Sequence, residues 1–324
     1  MVVTPLGGSR RRRWHRGRLS RGEYGDRRKH KQGSSNTDAH QQPPPGDAVI
    51  VRCVSAGGKG IMESGLKGKV AMVAGASRGL GLAVARGLAA EGVSVSMASR
   101  NTDSITAAAA AITEDMGVPT LAYALDVRSG ESIHAWFDAT TAKFGGVDLL
   151  FVNAGGPPAG TALSFDDGAW QGAFELLVLS AVRMVRLAVP SMKQRGGGAI
   201  VVSTSSAVKE PIPNLALSNV VRSSVAALSK TLANELAADG IRVNHLLPGR
   251  IDTDRIRELD TLRATATGTS ADEVKAGFSK AIPLGRYGTP AEYANAAVFL
   301  FSDASRYITG ASLQVDGGAV KAAS

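Results

Sequence analysis

The run AGASRGLG, residues 74–81, places Gly75, Gly79 and Gly81 between a short apolar stretch and a helical pattern. Glycines so spaced allow a tight turn and a close backbone approach to a pyrophosphate, while the free N–H groups and dipole of the following helix favour negative charge. Glycine-rich turns also end many strands for steric reasons. What points to a phosphate-bearing cofactor is the position of this one, at the first strand–helix junction. A second pair, Ser218 and Arg222, lies in NLALSNVVRSSVAALSK, residues 214–230. Four residues apart on an amphipathic helix, a hydroxyl and a guanidinium share one face. The single cysteine, Cys53, has no disulfide partner and no cluster for a metal, so a reducing, cytoplasmic setting without a metal site is expected.

Positioning these groups falls to alternating elements. From Lys69 the apolar runs KVAMVAG, VSVSMAS, TLAYALD, VDLLFVNAG, GAIVVSTSS and IRVNHLLPG alternate with helical patterns, among them a long one from about Asp167 to Lys193. Strands apolar on both faces predict a parallel sheet covered by helices on each side. The expectation is one α/β, doubly wound, Rossmann-type three-layer domain over residues 62–324. The Ala-rich segment 107–111 reads as a surface helix rather than low complexity, because alanine is the best helix former. No apolar run approaches the roughly 20 residues that span a bilayer, so no membrane association is expected.

The net charge of +9 has a single source. Residues 1–61 hold 13 Lys and Arg against 4 acidic residues, and the remainder carries 24 of each sign. That basic segment, rich in Arg, Gly, Ser, Gln and Pro and without hydrophobic periodicity, predicts a disordered extension. Clustered arginine could tether nucleic acid through counterion release. A transit peptide would want an apolar helical face, and a secretory or twin-arginine signal an apolar core of 7–15 residues; neither is present. Translation could also start at Met62, which would remove the extension altogether.

The glycine spacing, three intervening residues and then one, resembles the short-chain dehydrogenase/reductase family, and the resemblance extends over nearly all of residues 66–319. NAG at 153–155 closes the fourth strand as in that family. LDV at 125–127 matches its adenine-contacting pair, LPGRIDT at 247–253 its P-G-x-I-x-T segment. The ending IPLGRYGTPAEYANAAVFLFSDASRYITGASLQVDGG is similar to bacterial 3-oxoacyl-[acyl-carrier-protein] reductase-like members. The resemblance implies a nicotinamide cofactor held by Gly75, Ser77, Arg78, Gly79, Leu80, Gly81, Asp126, Val127, Asn153, Ala154, Gly155, Pro248, Gly249, Ile251 and Thr253. It also implies a homodimer or homotetramer built through two long helices. At the end of the second strand an acidic side chain would accept from a ribose 2′-hydroxyl. Here stand Ser99 and Arg100, with Arg78 in the glycine turn, a pair suited to a 2′-phosphate, so NADP is expected over NAD.

The family's catalytic set is an Asn, a Ser and a Tyr–Lys pair four residues apart. Ser205 aligns with the serine, with Thr204 or Ser206 open if the strand end shifts by one. Ser218 stands for the tyrosine, Arg222 for the lysine and Leu177 for the asparagine. A serine hydroxyl does not ionise usefully near neutral pH, whereas a tyrosine beside a cation can. Losing general acid–base catalysis costs about 10²- to 10⁴-fold, but hydride delivery by orientation and charge stabilisation remains. The expectation is an NADP-dependent reductase of a 3-oxoacyl-like carbonyl, or dehydrogenase of the matching alcohol, with an altered proton donor. Ser205 and Ser218 bind the oxygen, Arg222 stabilises its charge, and Arg222 also reaches the cofactor ribose. The proton would come from water or from Lys209, Glu210, His245 or Tyr287, each of which reads more simply as a surface charge or packed ring. The competing expectation is an NADP-binding sensor, scaffold or inactive subunit of a hetero-oligomer. Residues 252–280, DTDRIRELDTLRATATGTSADEVKAGFSK, occupy the family's variable substrate lid.

Overall fold

The computed structural model describes residues 64–322. The basic segment, Cys53 and the alternative start at Met62 lie outside the described residues. Seven parallel strands form one sheet in the order β3-β2-β1-β4-β5-β6-β7. They are β1 (Val70–Ala74), β2 (Ser94–Ser99), β3 (Thr120–Ala124), β4 (Leu149–Val152), β5 (Gly198–Ser203), β6 (Ile241–Pro248) and β7 (Ser312–Val315). The expected doubly wound sheet is therefore present, with one more strand than the apolar runs announced. β7 is four residues long, and its alternating exposure leaves no apolar run to find.

Helices α1 (Gly79–Ala90), α2 (Thr102–Met116) and α9 (Pro290–Phe301) cover one face, with Val84, Leu88, Ile105, Ile112, Ala297 and Leu300 packed on Ala71, Val73 and Val95. The opposite face is covered by α3 (Gly130–Phe144), α4 (Asp167–Phe174), α5 (Ser180–Gln194) and α6 (Ala216–Leu236), packed on Met72, Leu150, Val152, Ile200 and Val202. Successive residues of β1 thus enter different cores, which is why its sequence is apolar throughout. The one buried hydroxyl of β2, Ser96, is satisfied by the Trp136 indole at 2.8 Å and Thr140 at 2.7 Å.

Two features carry these layers towards one end of the sheet. The predicted long helix at 167–193 is interrupted: residues Glu175–Leu179 form a single π turn between α4 and α5, with the Ser180 hydroxyl donating to the Leu176 carbonyl at 2.6 Å. Such an insertion frequently marks a functional site. In addition, the Arg242 guanidinium on β6 donates to the C-terminal carbonyls of Leu300, Phe301 and Ser302 at 2.7–3.2 Å and so anchors α9 beneath β5 and β6. Residues 252–280, expected to form the lid, fold as α7 (Asp254–Thr267) and α8 (Ala271–Ala281), beyond the end of β6.

Candidate active site

The strand order reverses between β1 and β4, and ligands of open parallel sheets bind outside the carboxyl ends of the strands at such a point. Gly75 follows β1 with φ 64°, and Gly79 opens α1 with φ 60°. Gly81 allows the closest approach: a Cβ there would lie 2.2 Å from the Gly75 carbonyl oxygen. The glycines therefore fold α1 tightly onto its own entry turn, as the sequence predicts. The N-terminus of α1 has neither a side-chain cap nor an acidic residue in its first turn. By contrast α2, α3, α4, α8 and α9 are capped by Asn101, Ser129, Asp166, Ser270 and Thr289. An uncapped, acid-free helix start in a glycine cradle fits an incoming phosphate.

Around this cradle the remaining predicted cofactor residues fall at strand ends. The Asn153 side-chain amide, just past β4, donates to the Ala74 carbonyl at 3.3 Å and ties the two strand ends together. Ala154 is partly buried and Gly155 exposed in the same turn. Pro248 closes β6, and Gly249 packs on Asp316 so closely that a Cβ would be 2.6 Å from that side chain. Ile251 and Thr253 are buried, and Ser77, Leu80 and Val127 partly so. Asp126 is paired through both oxygens with Arg128, and this hydrogen bond holds its carboxyl below the ordinary carboxylate range. Ser99 ends β2, its hydroxyl directed to the Asn101 carbonyl at 3.4 Å, and Arg100 is exposed. Arg78 is also exposed, in loose contact with Asp254 at 3.9 Å and Glu258 at 3.8 Å on the lid. Contacts of that length between exposed side chains contribute little, so both guanidinium groups are open to a stronger anion.

The structure brings Ser218 and Arg222 together. From α6, Arg222 Nε donates to Ser218 Oγ at 3.2 Å, while Nη1 donates to the carbonyls of Ser203 at 3.3 Å and Thr204 at 3.1 Å at the end of β5. Arg222 thus braces the strand end through Nη1 and holds Ser218 through Nε. Burial lowers its pKa to about 10, which still leaves it a cation at neutral pH. Leu177, in the π turn, is buried against the same narrow cavity that Asn153, Ala154, Ser180, Ser203 and Arg222 line.

The three candidate hydroxyls are differently placed. Thr204 is buried and donates to the Leu246 carbonyl at 3.0 Å. Ser206 begins the 3₁₀ turn Ser206–Val208. Ser205 is partly exposed, and its Oγ accepts from Ala207 N at 3.1 Å, leaving its own proton to donate. Thr204 is thereby committed, while Ser205 and Ser206 both remain partly exposed.

The four alternative proton sources are differently placed. Tyr287 is buried, donating to Asp260 at 2.9 Å and accepting from Arg250 at 3.1 Å. Burial and the Asp260 hydrogen bond push its pKa up to about 12. Glu210 accepts from the backbone N–H groups of Lys321 and Ala322 at 2.7 and 2.9 Å. Lys209 is partly exposed beyond the 3₁₀ turn. His245 is buried between Thr204 Oγ1 at 3.3 Å and Ser312 Oγ at 2.5 Å, and burial, aided by the Lys209 charge, lowers its pKa to about 4. A neutral, doubly bonded imidazole is a packing element here.

That placement has a measurable consequence. From about pH 6.5 down to pH 4 the unfolded chain protonates this histidine and the folded chain does not, so stability falls with pH through that window by up to about 3 kcal/mol. Urea unfolding at pH 7 and pH 4.5 is expected to show a smaller difference for His245→Gln than for the parent. The same loss in both proteins would assign the slope to other groups.

Sequence reasoning did not single out Tyr293. Its hydroxyl donates to Ser203 Oγ at 2.9 Å from fully inside α9, supporting the strand end that Arg222 holds from above. Burial raises its pKa far beyond the neutral range, so it is structural. Nor was the Arg250–Asp260–Tyr287 cluster legible. Arg250 donates to Asp260 at 2.5 Å and stacks 3.1 Å from the Phe278 ring centroid, pinning both lid helices to the end of β6. Among the described residues no helix is long and apolar enough to cross a membrane and no cluster could hold a metal.

Comparison with known proteins accounts for this architecture. A family model described as enoyl-(acyl carrier protein) reductase matches residues 75–320. The 3-oxoacyl-[acyl-carrier-protein] reductase FabG of Escherichia coli is 34% identical over 254 residues, which are 78% of this chain and 97% of that protein. Dehydrogenase/reductase SDR family member 4 of Caenorhabditis elegans is 35% identical over 254 residues, 78% of this chain and 95% of that protein. Among solved structures, L-sorbose reductase from Gluconobacter frateurii, complexed with NADPH and L-sorbose, superposes with a TM-score of 0.78 at 36% identity. The match covers 81% of this chain and 100% of that one. The chain belongs to the short-chain dehydrogenase/reductase family, and with it to the oxidoreductases that act on CH–OH and C=O groups.

Proposed function

We propose that this chain is an NADP(H)-dependent carbonyl reductase, acting on a 3-oxoacyl-like carbonyl or oxidising the matching alcohol, with a rebuilt oxygen-binding site. The observation that carries the reading is the Arg222–Ser218 hydrogen bond, set at the end of β5 beside Ser205. When bound, the reduced nicotinamide supplies the hydride, and one carbonyl, NADPH and a proton become one alcohol and NADP⁺. Gly75, Gly79, Leu80 and Gly81 cradle the pyrophosphate, Asp126 and Val127 border the adenine, and Ile251 and Thr253 border the carboxamide. Ser205 and Ser218 each have a hydroxyl proton to give to a carbonyl oxygen. Arg222 polarises Ser218 through Nε and offsets the negative charge that develops on that oxygen. With Tyr287 above its useful range, His245 neutral and Glu210 engaged elsewhere, water or Lys209 replenishes the proton.

The chain is read as cytoplasmic and as a homodimer or homotetramer. Phe174 on α4 and Val220 on α6, 44% and 54% exposed, support association through the long helices. Static light scattering of the full chain tests this.

Arg78 and Arg100 favour NADPH. Removing both, Arg78→Ala with Arg100→Ala, is expected to weaken NADPH binding about 10- to 100-fold while NADH binding stays level, since charge-assisted hydrogen bonds contribute about 1.5–3 kcal/mol. Fluorescence titration of each nucleotide reads this, and an equal effect on both would sink the 2′-phosphate assignment. Turnover itself is tested with NADPH and a carbonyl panel that includes acyl-thioester analogues. Micromolar NADPH affinity with no reduction above background would replace this reading by the sensor, scaffold or inactive-subunit one.

A further inference from the structure

We propose that the carbonyl compound taken by this cleft is an anion: an oxo acid whose free carboxylate is held by Arg255 of α7 while Arg222 and Ser218 hold its carbonyl oxygen. The inference rests on the reductase reading of the same site and names its substrate class.

The cation at Arg222 is uncompensated. Its hydrogen bonds go to neutral acceptors only, Ser218 Oγ and the Ser203 and Thr204 carbonyls, and Nη2 has no acceptor among the described residues. The cavity that Arg222 lines is also lined by Asn153 and Ala154, at the start of the turn that runs on to Gly156. Arg255 stands in the first turn of the lid helix α7, and its Nη2 lies 3.7 Å from where a Cβ on Gly156 would be. The lid guanidinium therefore reaches across to the rim that follows β4, the turn carrying Asn153 to Gly155. A side chain at Gly156 would contact it directly.

Three neighbouring cations are committed to carboxylates, whereas Arg263 stacks 4.9 Å from the Phe278 ring centroid and Lys280 pairs with no carboxylate among the described residues. Arg257 is paired with Asp252 and Asp254 at 2.5 Å each, Lys275 with Asp252 at 2.9 Å, and Arg250 with Asp260 at 2.5 Å. Arg255 touches only Glu258, at 3.6 Å between half-exposed side chains, and Glu258 is shared with Arg78. An ion pair that long and exposed contributes little and yields readily to a better anion. Glu210, past the 3₁₀ turn that follows Ser205, is committed to the backbone of Lys321 and Ala322. Arg255 keeps its planar fork of donors for a bidentate carboxylate, the geometry that distinguishes arginine from lysine. A neutral ester or thioester offers that fork no charge.

The test uses the full chain loaded with NADPH and matched pairs: 3-oxobutanoate with its methyl ester, and 2-oxobutanoate with its methyl ester. The acid is expected to exceed the ester in kcat/KM by at least about tenfold, the scale of one charge-assisted pair. In Arg255→Ala that ratio falls to near one and in Arg255→Glu it inverts, whereas Arg263→Ala on the same helix keeps it. A binding arm separates this inference from turnover. With NADP⁺-loaded protein, calorimetry is expected to show 3-hydroxybutanoate binding at least about tenfold tighter than its methyl ester, again only with Arg255 present. If no carbonyl is reduced but this binding preference holds, the reductase reading fails and the carboxylate site stands. If esters match acids in both arms, or Arg255→Ala leaves the ratio intact, the inference is overturned.

Discussion

Restoring the family's usual pair, Ser218→Tyr together with Arg222→Lys, is expected to lower carbonyl turnover by at least about 100-fold rather than raise it. The reason lies in what surrounds the pair. Arg222 makes three directional hydrogen bonds from one planar group, to Ser218 and to two carbonyls at the end of β5. A lysine ammonium keeps the charge but, with a shorter reach and no planar group, not that fork. At least one strand-end carbonyl would lose its partner, at about 1–3 kcal/mol for a buried group. The family's asparagine position is also gone, since Leu177 stands buried in the π turn that packs against α6. Steady-state kinetics of the two single variants and the pair decide the matter. The pair worse than either single variant means that the site was rebuilt around Arg222. A pair faster than the parent would mean that the site had merely degenerated, and would end the oxygen-binding role given to Ser218.

How far this was legible in the sequence depends on the kind of information each element carries. β1, β2, β4, β5 and β6 are buried on both faces, so their apolar runs announce them, and the glycine turn declares itself because only glycine fits its φ angles and contacts. β7 pairs with β6 through its backbone while every second side chain faces outward, which leaves nothing to read in a four-residue segment. The π turn changes hydrogen bonding without changing apolar periodicity, so 167–193 reads as one helix. At the site, Ser205, Ser218 and Arg222 were found through family register. The support around them was not, because it is made of contacts between residues distant in sequence: Tyr293 with Ser203, and Arg250 with Asp260 and Phe278. Nor could composition show that Arg250, Arg257 and Lys275 would find carboxylates while Arg255 stayed loosely held.

Gly81→Ala is expected to abolish useful NADPH binding, with Kd rising at least about 100-fold, and to destabilise the apo protein by about 1–3 kcal/mol. The added methyl would stand 2.2 Å from the Gly75 carbonyl oxygen, 2.7 Å from its carbon and 3.1 Å from the Ala74 oxygen. All three are backbone atoms at the end of a fully buried strand, so neither side can give by a rotamer change. Relief requires α1 to lift away from its entry turn, and that movement displaces the very N–H groups offered to the pyrophosphate. Gly79→Ala is the informative contrast. Its Cβ would meet nothing nearer than Thr253 at 3.7 Å, and its penalty is the left-handed φ of 60°, about 1–2 kcal/mol, without translation of the helix. Thermal unfolding with and without saturating NADPH separates the two. Gly79→Ala should lose a few degrees of Tm and keep a ligand-induced upward shift, whereas Gly81→Ala should lose both. A full NADPH shift in Gly81→Ala would show that the crevice between β1 and β4 is not where the cofactor binds.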